Sequence, residues 1–264
     1  MSALGKIFCV ITGGSRGLGR SLAIAISRVV SDGSTIILTA RSTEALSETS
    51  KMVAETNANV TVKSVVADLG NLSAFEVMCT DILDGVDAKD YAQAILIHNA
   101  ASHMGMTKFK GSEIDDPNAV SNYCNMHFSS TVCLTSKFIS AFKGTRRVVV
   151  NVSSAAAVNP TPTRSLYCSM KAARVMFLRV MAAEDPDIRL LNYDPGLMKT
   201  DLLVNGIADS FNPEFWEGKI DEFDKKGLVV SADTSAEKLI LALKMDKYEN
   251  GSTVSVGDQI IPKI

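Results

Sequence analysis

The sequence predicts an α/β fold, a single doubly wound domain whose parallel sheet is covered by helices on both faces. Three observations carry that prediction. Apolar runs of strand length alternate with longer segments whose apolar residues recur at helical spacing. The first apolar run ends in a glycine-rich turn that leads straight into a helical pattern. No linker, low-complexity tract or internal repeat interrupts the 264 residues, so 1–264 is read as one domain, long enough to bury a substantial core.

The elements follow in order. Ile7 to Thr12 is nearly all apolar, as expected of a parallel strand buried on both faces, and Gly17 to Val30 follows as a helix. Thr35 to Ala40 is a second strand and Ser42 to Thr56 a second helix. Val60 to Ala67 is a third strand, with a helix over Asn71 to Asp84. Ala92 to His98 and Arg147 to Val152 are strands flanking one long helix over Val120 to Phe142. Leu166 to Glu184 is a helix and Ile188 to Tyr193 a strand. Ala236 to Lys244 is a helix, and Thr253 to Val256 makes a seventh strand. Residues 197–228 break this rhythm. Either a lid over a binding site or a surface excursion packed on itself would account for them.

Composition excludes several function classes. With 46% apolar and 21% charged residues the chain is globular, and its net charge of −2 offers no basic nucleic-acid surface. Apolar runs such as Ile95 to Ile97 are too short to span a bilayer, so no membrane partner is expected. Met1 to Lys6 lacks the charged-then-apolar layout of a signal peptide. Five scattered cysteines without a CxxC pair read as reduced thiols of a cytoplasmic protein. Three histidines with no zinc-ligand spacing argue against a catalytic metal.

The turn Thr12-Gly13-Gly14-Ser15-Arg16-Gly17-Leu18-Gly19 lies between the first strand and the first helix. Glycines there permit a tight turn and a close approach of backbone to a pyrophosphate, which the helix N-terminus would face. An acid ending the second strand would hold the ribose hydroxyls of NAD. That strand instead ends Ala40-Arg41-Ser42, and Arg41, with Arg16 nearby, suits the 2′-phosphate of NADPH/NADP+. The competing reading is that Arg41 merely faces solvent. Asp68-Leu69, ending the third strand, is placed to hold the adenine.

Tyr167 and Lys171 lie four apart on a helical pattern and so share a face. A lysine cation beside a phenol lowers its pKa, fitting the tyrosine to give a proton to a carbonyl oxygen. Ser154 ends the fifth strand and could bond that same oxygen.

Together, the glycine turn, Asn99-Ala100, Ser154 and Tyr167-x-x-x-Lys171 resemble the short-chain dehydrogenase/reductase family over essentially the whole chain. Pro195-Gly196 and Thr200-Asp201 resemble its segment that covers the nicotinamide. The resemblance implies a Rossmann-type seven-stranded sheet and a homodimer or homotetramer. It implies catalytic roles for Ser154, Tyr167 and Lys171. Cofactor contacts would come from Gly13 to Gly19, Arg41, Asp68, Leu69, Asn99, Tyr167, Lys171, Met198 and Thr200, and substrate contacts from Ser154, Tyr167 and Gly196.

Longer stretches are similar to the sepiapterin reductases of that family: Val149 to Ser154, Leu166 to Arg174, Leu191 to Gly196 and Gly251 to Asp258. That likeness implies a pterin carbonyl substrate and tetrahydrobiopterin synthesis, with Asp258 gripping the pterin's paired N–H edge through its carboxylate. From the residues alone, Asp258 reads as a solvated turn aspartate after the last strand. There are two departures. The family's Asn-Asn-Ala-Gly is His98-Asn99-Ala100-Ala101, and its helical relay asparagine aligns with His127, Asn125 lying two residues earlier. His127 is open to reading as a relay group or a core histidine. A broader carbonyl or diketone reductase, and a catalytically silent NADPH-sensing protein, stand as alternatives.

Overall fold

The computed structural model describes residues 4–259. Seven parallel strands form one sheet in the order β3-β2-β1-β4-β5-β6-β7. They are β1 (Ile7–Thr12), β2 (Thr35–Ala40), β3 (Thr61–Val66), β4 (Gln93–His98), β5 (Arg146–Val152), β6 (Ile188–Asp194) and β7 (Thr253–Ser255).

Strand β1 shows why these sequences choose parallel pairing. All six residues are buried, because helices cover both faces. Ile7, Cys9 and Ile11 point into one layer with Leu22 and Ile26 of α1 (Gly17–Ser27) and Leu239 of α9 (Ala232–Met245). Phe8 and Val10 point into the other, with Phe138 of α5 (Ser130–Ala141) and Leu178 of α6 (Ser165–Glu184). Helices α2 (Thr43–Thr56) and α3 (Phe75–Leu83) complete the two layers beside β2 and β3.

Two of the buried polar residues in the sheet are paired asparagines. Asn151 of β5 and Asn192 of β6 are register partners, and the Asn151 amide donates to the Asn192 carbonyl at 2.8 Å. The Asn192 amide in turn donates to Gly251 O at 3.2 Å, just before β7.

Two regions differ from the sequence expectation. The single helix expected over Val120 to Phe142 is broken. Helix α4 (Pro117–Cys124), capped by Asp116, runs into a π-helical turn over Asn125–Ser129, and α5 follows. Inside that turn His127 stacks on Tyr123 with ring centres 4.3 Å apart and hydrogen-bonds Ser102 O at 2.7 Å. Tertiary contacts thus anchor the wider turn, a common feature of π-bulges near functional sites. The irregular stretch 197–228 contains α7 (Asp201–Ala208) and α8 (Pro213–Lys225). It is pinned at its ends by a parallel bridge between Leu197 and Val229 and in its middle by the buried Trp216. No helix among the described residues is long and apolar enough to cross a membrane. No group of three or more His, Cys, Asp or Glu there could hold a metal ion.

Candidate active site

The candidate site is built at the carboxyl ends of β1, β4, β5 and β6. The turn after β1 is fixed by its glycines. Gly13 takes φ +69°, and a Cβ there would lie 2.8 Å from Ala100 Cα. A Cβ on Gly19 would lie 2.1 Å from Gly13 O. Asn99 clamps the turn from β4, its amide donating to Thr12 O at 3.0 Å and Gly13 O at 3.1 Å. The N–H groups of Gly13 and Gly14 bond Thr39 O, and Leu18 is buried in the core. Helix α1 starts at Gly17 with no side-chain cap from Arg16 and no acid in its first turn. Its first N–H groups therefore form an anion-binding pole, and the donor set fits a dinucleotide pyrophosphate. Ser15 O is taken by Arg20 and Thr49.

Arg41 follows β2, exposed and without an ion-pair partner among the described residues. Arg16 is paired with Asp201 of α7 at 2.8 Å, both side chains being largely exposed. Asp68 accepts from Gly70 N at 2.9 Å, and Leu69 packs against the core. Across the turn, Thr200 reaches toward Gly17 and Met198 packs against the core. Gly196 takes φ +78°, where a Cβ would lie 2.8 Å from Val256 Cγ1.

Ser154, Tyr167 and Lys171 are brought together. Ser154 follows β5, where its hydroxyl accepts from Ala156 N at 3.2 Å, and its side chain also hydrogen-bonds the Tyr167 phenol. Lys171 lies one turn along α6 with its ammonium 5.4 Å from the centre of the Tyr167 ring. It is buried and donates to Val152 O at 2.5 Å. Burial, reinforced by Arg174, pushes its pKa well below the usual lysine value. Burial raises the Tyr167 pKa, opposed by the Ser154 bond and by the cations of Arg164 and Arg174. Two arginines therefore supply an influence that the sequence pattern attributed to Lys171. Asp194, ending β6, has a raised pKa through burial, opposed by backbone N–H bonds and the Lys171 charge.

Sequence reasoning missed three side chains here. Arg174 is buried and donates to His98 O at 2.8 Å, its pKa lowered to about 10 by burial. Its place one turn beyond Lys171 was the available signal. His103 lies with its ring centre 5.2 Å from that of Tyr167, and burial lowers its pKa to about 3. Arg164 lies one turn before Tyr167 and is also buried. His127 borders the cluster, its ring centre 6.5 Å from that of Tyr167. Ser102 O can only accept, so Nε2 carries the His127 proton and leaves Nδ1 an acceptor without a protein partner. Asn125 instead accepts from Ser129.

Asp258 lies outside this cluster. It is exposed after β7 and accepts from Ser255 N at 2.7 Å, a turn bond of its own. Its charge contributes to the raised pKa of Asp194, so it lies on that side of the site.

Comparison with known proteins agrees with this architecture. The family model described as short chain dehydrogenase matches residues 8–209. Sepiapterin reductase of Xenopus tropicalis is 37% identical over 262 residues, covering 97% of this chain and 98% of that protein. Sepiapterin reductase of Bos taurus is 34% identical, covering 98% and 97%. Among solved structures, L-sorbose reductase from Gluconobacter frateurii superposes with a TM-score of 0.79 over the full length of both chains at 21% identity. By sequence match, sheet order and the Ser154, Tyr167 and Lys171 cluster beside a glycine-rich turn, this chain is an oxidoreductase belonging to the short-chain dehydrogenase family.

Proposed function

We propose that the chain reduces a carbonyl group with NADPH, and that its substrate is the side-chain carbonyl of a pterin. The observation that carries the reading is the hydrogen bond between Ser154 and Tyr167, with Lys171 on the same face, at the strand ends beside the glycine turn. Its likeness to sepiapterin reductases at more than a third identity supports the pterin.

The bound nicotinamide would supply the hydride. The chain's own residues do the rest. Ser154 bonds the substrate carbonyl oxygen and aims it at the phenol. Tyr167 holds a proton at neutral pH, because burial raises its pKa, and gives it up as charge develops on that oxygen. Arg164 and Arg174 supply positive potential that steadies the phenolate left behind. Lys171 would bond the cofactor ribose. Gly13 to Gly19 and the first turn of α1 hold the pyrophosphate, braced by Asn99. Arg41 binds the 2′-phosphate, Asp68 and Leu69 the adenine, and Met198 and Thr200 cover the nicotinamide. Gly196 leaves room for the substrate, and Asp258 turns from Ser255 to grip the pterin edge.

The test is NADPH oxidation with sepiapterin beside simple diketones, in the wild type and in Tyr167→Phe. Phenol removal is expected to slow turnover by at least about a hundredfold while NADPH still binds. Unchanged turnover in Tyr167→Phe overturns the mechanism. Turnover of diketones alone overturns the pterin assignment.

A further inference from the structure

We propose that Arg164 forms a carboxylate-binding subsite beside Tyr167, selecting carbonyl substrates that carry an anionic head on an aromatic or other apolar body. The inference rests on the carbonyl-reductase reading and not on the pterin assignment, since a pterin carries no carboxylate, and the subsite can be tested by binding alone.

Arg164 is only 4% exposed, yet neither of its terminal nitrogens has a hydrogen-bond partner among the described residues. No carboxylate pairs with it there, and the ionisable groups that face it most closely are the phenols of Tyr167 and Tyr123 and the thiol of Cys168. Burial raises the pKa of both phenols, so they are neutral at neutral pH. Histidines 103 and 127, with pKa values of about 3, are neutral too. A guanidinium buried in this way is a cation in want of an anion, and its planar fork matches a carboxylate.

The side chain is also held in place. Its guanidinium lies over the Trp216 ring at 4.6 Å, and the Trp216 N–H donates to Thr163 Oγ1 at 2.8 Å. Thr163 takes φ +70°, a conformation a β-branched residue rarely adopts. Trp216 belongs to α8, and Gly206 of α7 lies against Arg164 and His103, where a Cβ would meet the guanidinium at 2.5 Å. Two helices from the 197–228 region thus pack against the guanidinium itself and leave both its terminal nitrogens without a hydrogen-bond partner.

The surroundings are polar on one side and apolar on the other. His103 Nδ1 and Thr107 Oγ1 are further buried atoms without partners, and they line the same small pocket as Arg164 and Tyr167. Thr163 and Ser165 are shared with a larger cleft of about 530 Å³ lined by Phe109, Pro160, Pro162 and Phe211. The small pocket holds about 10 Å³, room for one water-sized group, so a single carboxylate oxygen would take that place on Arg164 while an aromatic body fills the larger cleft.

Trp216 is the only tryptophan of the chain, so it reports on its arginine neighbour. The experiment titrates the NADP+-loaded protein with benzoate and with neutral benzamide, read by tryptophan fluorescence and by calorimetry. Saturable benzoate binding is expected, weakened at least about tenfold in Arg164→Gln and less in Arg164→Lys. Melting temperature and NADP+ affinity show whether each variant is folded. Steady-state rates add the ratio of kcat/KM for 2-oxo-2-phenylacetate to that for 1-phenylpropane-1,2-dione. That ratio should fall at least about tenfold in Arg164→Gln, whatever happens to the absolute rates. Should benzoate fail to bind, bind no better than benzamide, or bind folded Arg164→Gln equally well, the subsite is refuted. Failure of every carbonyl to oxidise NADPH refutes the reductase reading instead, and leaves the binding result to judge Arg164 by itself.

Discussion

Acidification from about pH 7 to about pH 5 should weaken the fold through His127, and the size of the effect follows from its surroundings. His127 is fully buried, and burial together with the Lys171 charge lowers its pKa to about 3. In the unfolded chain the same imidazole titrates near ~6.5. Between those values the unfolded state binds a proton that the folded state refuses, so stability falls as pH falls. Each unit of pH within the window costs about 1.4 kcal/mol, so His127 alone contributes a loss of about 2 kcal/mol by pH ~5. The loss stops growing below pH ~3, where the folded state also takes the proton. Urea denaturation at the two pH values, followed by circular dichroism, measures it. His127→Gln keeps an N–H able to reach Ser102 O but has no titratable ring. Its stability should therefore fall by about 2 kcal/mol less than that of the wild type over the same interval. Equal losses in the two proteins would refute the account of His127 as a neutral buried ring.

Three other outcomes can be checked. Gly19→Ala places a Cβ 2.1 Å from Gly13 O, so the turn must open. A cost of about 2 kcal/mol or more is expected in thermal or urea melts, with loss of NADPH binding by fluorescence titration. Arg41→Asp should lower the ratio of kcat/KM for NADPH to that for NADH by at least about tenfold, since a carboxylate repels the 2′-phosphate it replaces a cation for. An unaltered ratio would remove Arg41 from the cofactor site. Asp258→Ala should raise KM for sepiapterin selectively over a simple diketone. Loss of its bond to Ser255 with no change in either KM would leave Asp258 a turn residue.

The strands were legible because parallel strands covered on both faces must be apolar almost throughout. Strands β1 and β2 have the expected limits, and β4 begins one residue later than expected. The glycine turn and the Tyr167–Lys171 pair were legible because each depends on short spacing within one turn or helix, while Ser154 was legible as a hydroxyl at a strand end. The break at 125–129 was not, since the contacts that anchor it are with Ser102 and Tyr123 rather than a breaker residue at the kink. Helix α8 carried a readable start signal, Asn212 followed by Pro213, inside the stretch read as a lid or a surface excursion. Arg164 and His103 went unremarked because their burial depends on α7 and α8 folding back over the start of α6, a long-range event that leaves no local spacing.

The paired asparagines of β5 and β6 have a consequence for how the sheet assembles. Valine-rich parallel strands such as VVV at 148–150 would fit their neighbours almost as well after sliding along them. A slip by one residue would leave the two amides facing valine or tyrosine, stranded from each other in a dry interior. The 2.8 Å contact between them therefore acts as an alignment pin during folding. Because Asn192 also reaches Gly251, the pin extends to the last strand, so errors made early at the centre would be felt at the sheet's far edge.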